Sequence, residues 1–196
     1  MKRQIILASQ SPRRKQLLEQ IGLIDFIIQE STYEEDMTLG KTPEELAEFL
    51  SLEKAKEVAN HYDDAIIIAG DTMIFFDGKV IGKAKSKKEA IKMLTKFSGQ
   101  KVGCVSGLAI IDTKNNRKIV DHNIGWVNFR KLNKKEIIDY VNNEKNILGF
   151  AGGFGLLNKG AILIDSTEGD FFSIIGLPLT KLYLGLKKLG VDTLKV

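Results

Sequence analysis

The sequence predicts an α/β protein built on a mixed, twisted sheet flanked by helices, and three observations carry that reading. Short apolar runs, Gln4 to Ala8 and Ala65 to Ala69, have the composition of buried strands. Between them lie two segments with helical apolar spacing and strong start signals, which argues crossover units. Farther on, two long strand-like stretches flank an Asn-rich turn, so the middle of the chain reads as antiparallel.

Gln4 to Ala8 runs into Ser9-Gln10-Ser11-Pro12, where a serine cap precedes a proline at the first helical position. Leu17, Leu18 and Ile21 mark the apolar face of that helix, and Gly22 stops it. Asp25 to Gln29 reads as a second strand, followed by a polar loop carrying Glu34 and Glu35. Thr42-Pro43-Glu44-Glu45 combines a capping box with a proline start, and Leu46, Phe49, Leu50, Ala55 and Val58 form the buried face behind it. Ala65 to Ala69 is a short buried strand with Gly70-Asp71-Thr72 at its carboxyl end. Met73 to Phe76 and Lys79 to Ile81 then make a hairpin, because Asp77-Gly78 suits a type I′ turn.

Ser86-x-x-Glu89 caps a third helix ending near Ser98-Gly99. Val102 to Ile111 and Lys118 to Arg130 are the long strands around Lys114-Asn115-Asn116. Asn133-x-x-Glu136 caps a fourth helix, and a glycine-rich stretch from Gly149 to Gly160 follows. Ala161 to Ile164 and Phe171 to Ile175 read as strands, and Leu179 to Leu189 as the closing helix. No linker or repeat interrupts the chain, so residues 1–196 are expected to form a single domain.

Composition narrows the function. With 43% hydrophobic and 28% charged residues the chain can bury a core and is not a disordered segment. The net charge of +4 is spread out, without a basic run interleaved with aromatics, so no nucleic-acid partner is expected. The start has too short an apolar run for a signal peptide, and no later run reaches the ~20 residues a membrane span needs. Cys104 is the only cysteine, lies in an apolar segment and reads as a core thiol. These features suit a cytoplasmic protein. His61 and His122 stand isolated in sequence, which supports neither a His triad nor a His-rich metal site.

Ser11-Pro12-Arg13-Arg14 opens a helix after a strand, where free N–H groups and the helix dipole favour anions and two guanidiniums suit phosphate oxygens. Cations on a first turn oppose the dipole, so their placement asks for a ligand, although a capped helix with solvated arginines has the same sequence. Asp71, after a buried strand, sits where α/β sheets place their ligands; it can orient water or hold a divalent ion, or merely shape a turn. Lys54 and Lys83 taken alone are solvated charges, and Glu34 with Glu35 is an exposed acid pair unless the fold brings it to Asp71.

Taken in order, Ile6 to Arg14 (ILASQSPRR), Lys54-Ala55, Ala69 to Thr72 (AGDT), Gly82-Lys83 and Glu89-Ala90 resemble the Maf family. So do Ala151-Gly152, Phe154-Gly155, Gly169 to Phe171 and Gly176 to Leu179 in the C-terminal half. The resemblance implies a Maf/ITPase-like fold of two lobes with a substrate cleft between them, often as a homodimer, and a nucleoside triphosphate pyrophosphatase historically linked to septum formation. It implies that Asp71 is the general base and a metal neighbour, with Glu34 helping to hold Mg²⁺, Mn²⁺ or Co²⁺. Ser11, Arg13, Arg14, Lys54 and Lys83 would cradle the triphosphate, and Arg13 and Thr72 match positions linked to base choice. The SPRR form leans towards the dTTP/UTP branch, although Leu157 replaces that branch's usual Gln and Ser106 a usual Thr. A catalytically weak nucleotide-binding regulator of cell division is the alternative those departures raise.

Overall fold

In the computed structural model, residues 3–36 and 39–195 are described; Met1 and Lys2, at the polar start of the sequence, lie outside them. The strands are β1 (Gln4–Leu7), β2 (Ile27–Ile28), β3 (Ala65–Phe76), β4 (Lys79–Ile81), β5 (Lys101–Asp112), β6 (Arg117–Phe129) and β7 (Ile164–Gly169). The helices are α1 (Pro12–Gln20), α2 (Pro43–Ala59), α3 (Lys87–Phe97), α4 (Lys134–Asn143), α5 (Phe171–Ile175) and α6 (Leu179–Lys188). One seven-stranded sheet runs β2-β1-β3-β5-β6-β7, with β4 also paired to β3. β1 is parallel to β2 and β3, whereas β4 pairs with β3, and β7 with β6, antiparallel. The predicted mixed α/β architecture is the one found.

The chain divides into two compact units. The first comprises the residues up to Thr72, Ser106–Asn123 and the residues from Gly176 on. Its core on one sheet face is made by Ile6, Ala8, Ala65, Ile67, Ala69 and Ala109 under Ala55 and Val58 of α2. Helix α2 starts where the sequence predicts: Thr42 Oγ1 accepts from Glu45 N–H, and the Glu45 carboxylate accepts from Thr42 N–H. It also lies unusually near the sheet. A Cβ on Gly107 of β5 would fall 2.1 Å from the Ala47 carbonyl oxygen, so glycine permits backbone-on-backbone packing there.

The second unit comprises Met73–Val105 and Ile124–Ile175. Its core is aromatic: Phe97 packs edge-on to Phe76 and Phe154, and Phe154 meets Phe129 at 4.9 Å between centroids. The Asp77-Gly78 turn has both residues at positive φ and pairs Phe76 with Lys79, as a type I′ hairpin requires. Cys104 is buried in this core, as predicted.

Four elements differ from the sequence expectation. Ala65–Ala69 and Met73–Phe76 are one strand, so Gly70-Asp71-Thr72 lies within β3 instead of ending it. The reason is again steric: a Cβ at Gly70 would sit 3.0 Å from Gly107 O and Leu177 Cδ1, so glycine here admits close packing and breaks nothing. The second strand shrinks to Ile27–Ile28. Residues read as a strand at Ala161 to Ile164 form a 3₁₀ turn, Lys159–Leu163, leading into β7. Phe171 to Ile175 is helix α5, because Asp170 accepts from Phe172 N–H and Ser173 Oγ–H and so caps a turn.

Candidate active site

The register of β1 on β3 ends at Leu7 opposite Ile68, and beyond it only Ala8 N–H reaches back to the Ile68 carbonyl. Ala69 to Thr72 therefore continue past the carboxyl end of β1, the part of an α/β sheet where ligands bind. Side chains alternate along the strand. Ala65, Ile67 and Ala69 lie in the core under α2, which puts Asp71 on the α2 face and Thr72 on the opposite one.

On the α2 face, Asp71 is held by Lys54. Its Oδ1 accepts from Lys54 Nζ at 2.5 Å, and the same ammonium lies 2.5 Å from Glu35 Oε1. The Lys54 and Asp71 side chains retain only 14% and 11% of their exposure, while Glu35 retains 43%. The tight seating of α2 on Gly107 explains the reach of Lys54, since Ala47, Ser51 and Ala55 follow one another down the helix face that contacts the sheet. Glu34, one residue earlier in the loop, is exposed, and among the described residues it is Glu35 that pairs with Lys54. Two carboxylates and one ammonium make a half-buried cluster that carries excess negative charge.

On the other face, Arg14 is the organiser. Its Nε donates to the Gly176 carbonyl at 3.0 Å, Nη1 to Ser9 Oγ at 3.0 Å and Nη2 to Thr72 Oγ1 at 3.2 Å. Thr72 Oγ1 also lies 2.6 Å from Ser106 Oγ and 3.2 Å from the Gly176 carbonyl. Burial pushes the Arg14 guanidinium below its ordinary value; the Asp71 carboxylate acts against that shift, and Arg13 adds to it. Ser11 caps α1, its Oγ accepting from Arg14 N–H at 3.5 Å, and Arg13 stands exposed on the first turn. Thus Asp71, Lys54, Arg14, Thr72 and Ser11 share the first unit. Lys83 belongs to the second, where it is exposed and its backbone bridges Ala151. Ser9, Ser106, Glu35 and the Gly176 carbonyl are participants to which sequence reasoning assigned no role in the site, although Glu35 stood out as half of the acid pair, Ser106 as a departure from a usual Thr, and Gly176 within a family segment.

A separate trio, Glu48, Asp121 and His122, brings three potential ligand atoms within 4.8 Å of one another and could hold a metal ion. His122, isolated in sequence, thus has company in space: its Nδ1 is 2.7 Å from Glu48 Oε1. Lys181 already donates to Asp121 at 2.5 Å, so a cation is supplied to the trio by the chain itself. None of these residues belongs to the Asp71 cluster. Among the described residues no helix is long and apolar enough to cross a membrane.

Residues 4–189 match the family model described as Maf-like protein. The chain is 42% identical to a dTTP/UTP pyrophosphatase of Methanosarcina barkeri, over 97% of this chain and 96% of that one. It is 40% identical to a dTTP/UTP pyrophosphatase of Methanococcoides burtonii, with 97% of each chain covered. A dTTP/UTP pyrophosphatase of Clostridioides difficile is 35% identical, with 94% of each covered. With the family model matched almost end to end and the ASQSPRR and GDT segments meeting where β3 runs past the carboxyl end of β1, this chain belongs to the Maf family.

Proposed function

We propose that the chain is a nucleoside triphosphate pyrophosphatase that hydrolyses dTTP or UTP to the monophosphate and pyrophosphate. The observation that carries the reading is Asp71, a nearly buried carboxylate running past the end of β1 with Lys54 at 2.5 Å on one side and the Arg14 network on the other. Relatives bearing the dTTP/UTP pyrophosphatase name, matched over nearly their full length, supply the substrate class.

In this reading a water oxygen attacks the α-phosphorus while its proton passes to the Asp71 carboxylate. The bond from that phosphorus to the α,β-bridging oxygen breaks, and pyrophosphate leaves with the electron pair. Arg14, Lys54 and the exposed Arg13 are the cations proposed to meet the triphosphate, with the first-turn N–H groups behind Ser11 adding donors; a like role for Lys83 rests on the resemblance alone. Catalysis is then largely positioning and charge neutralisation, as phosphoryl chemistry demands.

The proposal includes a divalent ion, Mg²⁺, Mn²⁺ or Co²⁺. Asp71 and Glu35 fit such an ion, since two hard carboxylates from different elements already converge on one cation, the Lys54 ammonium. Glu34 is one residue away, and geometry favours Glu35 over it for this role. When bound, the ion would neutralise charge on the phosphate oxygens. A cytoplasmic setting and the homodimer that the resemblance implies are part of the same proposal; light scattering reads the latter.

The test is pyrophosphate release from a panel of nucleoside triphosphates with each ion, using wild type and Asp71→Asn. Release from dTTP or UTP, lost in the variant with its melting temperature kept, is expected. Full turnover by Asp71→Asn would remove the assigned base. Nucleotide binding without release by wild type would favour a non-catalytic regulator, a reading motivated by Leu157, whose side chain is exposed where an amide is usual.

A further inference from the structure

Thr72 is surrounded by more partners than a hydroxyl can serve while still meeting a ligand. Its oxygen has one proton and two acceptor sites. Arg14 Nη2, at 3.2 Å, donates into one of the acceptor sites. The Gly176 carbonyl, also at 3.2 Å, can only accept and takes the proton. Ser106 Oγ, at 2.6 Å, must then be the donor into the second site. The order of the chain follows by elimination: Ser106 to Thr72 to Gly176, with Arg14 donating to its last two members, since its Nε also donates to the Gly176 carbonyl.

Two consequences follow. The Thr72 hydroxyl has neither a proton nor a lone pair left for a nucleobase. Arg14 is locked at three points, Ser9, Thr72 and Gly176, which leaves two of its five N–H groups for a ligand. Ser106 is fully buried, so bulk water does not replace its hydroxyl when it is removed.

We propose that Ser106 is a positioning residue for nucleotide binding: through Thr72 it fixes the Arg14 guanidinium and the Gly176 carbonyl, and Thr72 acts on the ligand through this network instead of by touching it. The proposal rests on the reading of Arg14 as a triphosphate ligand.

A double-mutant cycle tests it with wild type, Ser106→Ala, Thr72→Val and the double variant. KM and kcat are measured for pyrophosphate release from dTTP, and Kd by calorimetry for α,β-methylene-dTTP, which cannot be cleaved at that bond. Losing one neutral hydrogen bond corresponds to about five- to tenfold in KM and Kd for Ser106→Ala, with kcat kept within about twofold. Thr72→Val should weaken binding at least as much, and adding Ser106→Ala to it should change nothing further. Ser106→Thr, which keeps the hydroxyl, should restore wild-type Kd. An unchanged Kd in Ser106→Ala, effects that multiply in the double variant, or a Thr variant as weak as the Ala one would overturn the proposal. If wild type binds the analogue but releases no pyrophosphate, the hydrolase reading fails while the cycle in Kd still decides the network. If wild type turns over and the cycle multiplies, the network alone fails.

Discussion

Lys54→Met isolates the one interaction on which the Asp71 cluster depends. Methionine keeps most of the apolar stem and removes the ammonium, leaving Asp71 without its counter-ion. Removing one partner of a fully buried pair costs about 3–5 kcal/mol. Here the side chains keep 14% and 11% of their exposure, so water softens the loss, and roughly 2 kcal/mol is the appropriate scale for the Asp71 arm. The Glu35 arm, 43% exposed on the carboxylate side, adds at most about 1 kcal/mol. A chain of this size loses about 2–4 °C of melting temperature per kcal/mol, so a fall of roughly 4–12 °C is expected by scanning calorimetry in EDTA. Mn²⁺ should act in the opposite direction. With no ammonium competing between the two carboxylates, an ion at a hundred times its Kd restores about 2.7 kcal/mol, and the increment should exceed that of wild type. Turnover should still fall by about 10²–10³ if Lys54 meets charge developing on pyrophosphate. A variant that melts within about 1 °C of wild type, with an equal Mn²⁺ increment, would show that Lys54 neither compensates Asp71 nor shields a cation position.

Three further outcomes test the scaffold around that cluster. Gly107→Ala places a Cβ 2.1 Å from Ala47 O and 2.6 Å from Ser51 Oγ, so α2 must retreat; urea melts should show a loss of about 3 kcal/mol or more, with turnover reduced as Lys54 leaves Asp71, and wild-type behaviour would contradict the packing. The Arg3 guanidinium, with Asn115, holds the buried Asp112 carboxyl well below the usual range. A depressed folded value means stability that is present above the unfolded pKa of about 3.9 and lost as pH falls through and below it. Asp112→Asn should therefore be less stable than wild type at neutral pH and approach it in acid, and a gap that does not shrink would refute the assignment. Burial pushes the Cys104 thiol up to about 12, so a disulfide reagent at mildly alkaline pH should label the native chain slowly and one thiol per chain in guanidinium; rapid native labelling would show that the core opens.

Much of the fold was legible because its signals are local. Thr42 with Glu45, Asn133 with Glu136, and Asp77-Gly78 each announce an element within four residues, and each does in the structure what its chemistry predicts. The misread elements depended on partners distant in sequence. Gly70 looks like punctuation, yet its missing side chain is required by Gly107 and Leu177. Phe171 to Ile175 has strand composition, and the Asp170 carboxylate turns it into a helix. The site divides in the same way. Asp71, Arg14 and Lys54 were identifiable as residue types in a suggestive order. By contrast, the link from Arg14 to Thr72 exists only once α1 meets β3, and that from Thr72 to Ser106 only once β3 and β5 are side by side. Whether Glu34 or Glu35 meets Lys54 is a one-residue question about a loop, and periodicity does not reach it.

The continuity of β3 is also what lets one short segment serve two purposes. Were Asp71 and Thr72 on a loop after a strand, as the sequence suggests, neither would have a defined face. Inside a strand, consecutive residues point to opposite sides, so the carboxylate meets Lys54 of α2 while the hydroxyl meets Arg14 of α1. Each side then carries a different burden. The α2 face must hold a carboxylate in a nearly buried place, and a lysine shared with Glu35 lies against it. The other face must keep a guanidinium fixed despite burial that disfavours its charge, and three acceptors do so. Substituting the two residues should therefore separate the effects. Loss at Asp71 should be felt in kcat, where a proton must be taken, and loss at Thr72 in binding, where Arg14 must already be in place. A Thr72→Val enzyme with normal KM and a depressed kcat would contradict this division between the faces of the strand.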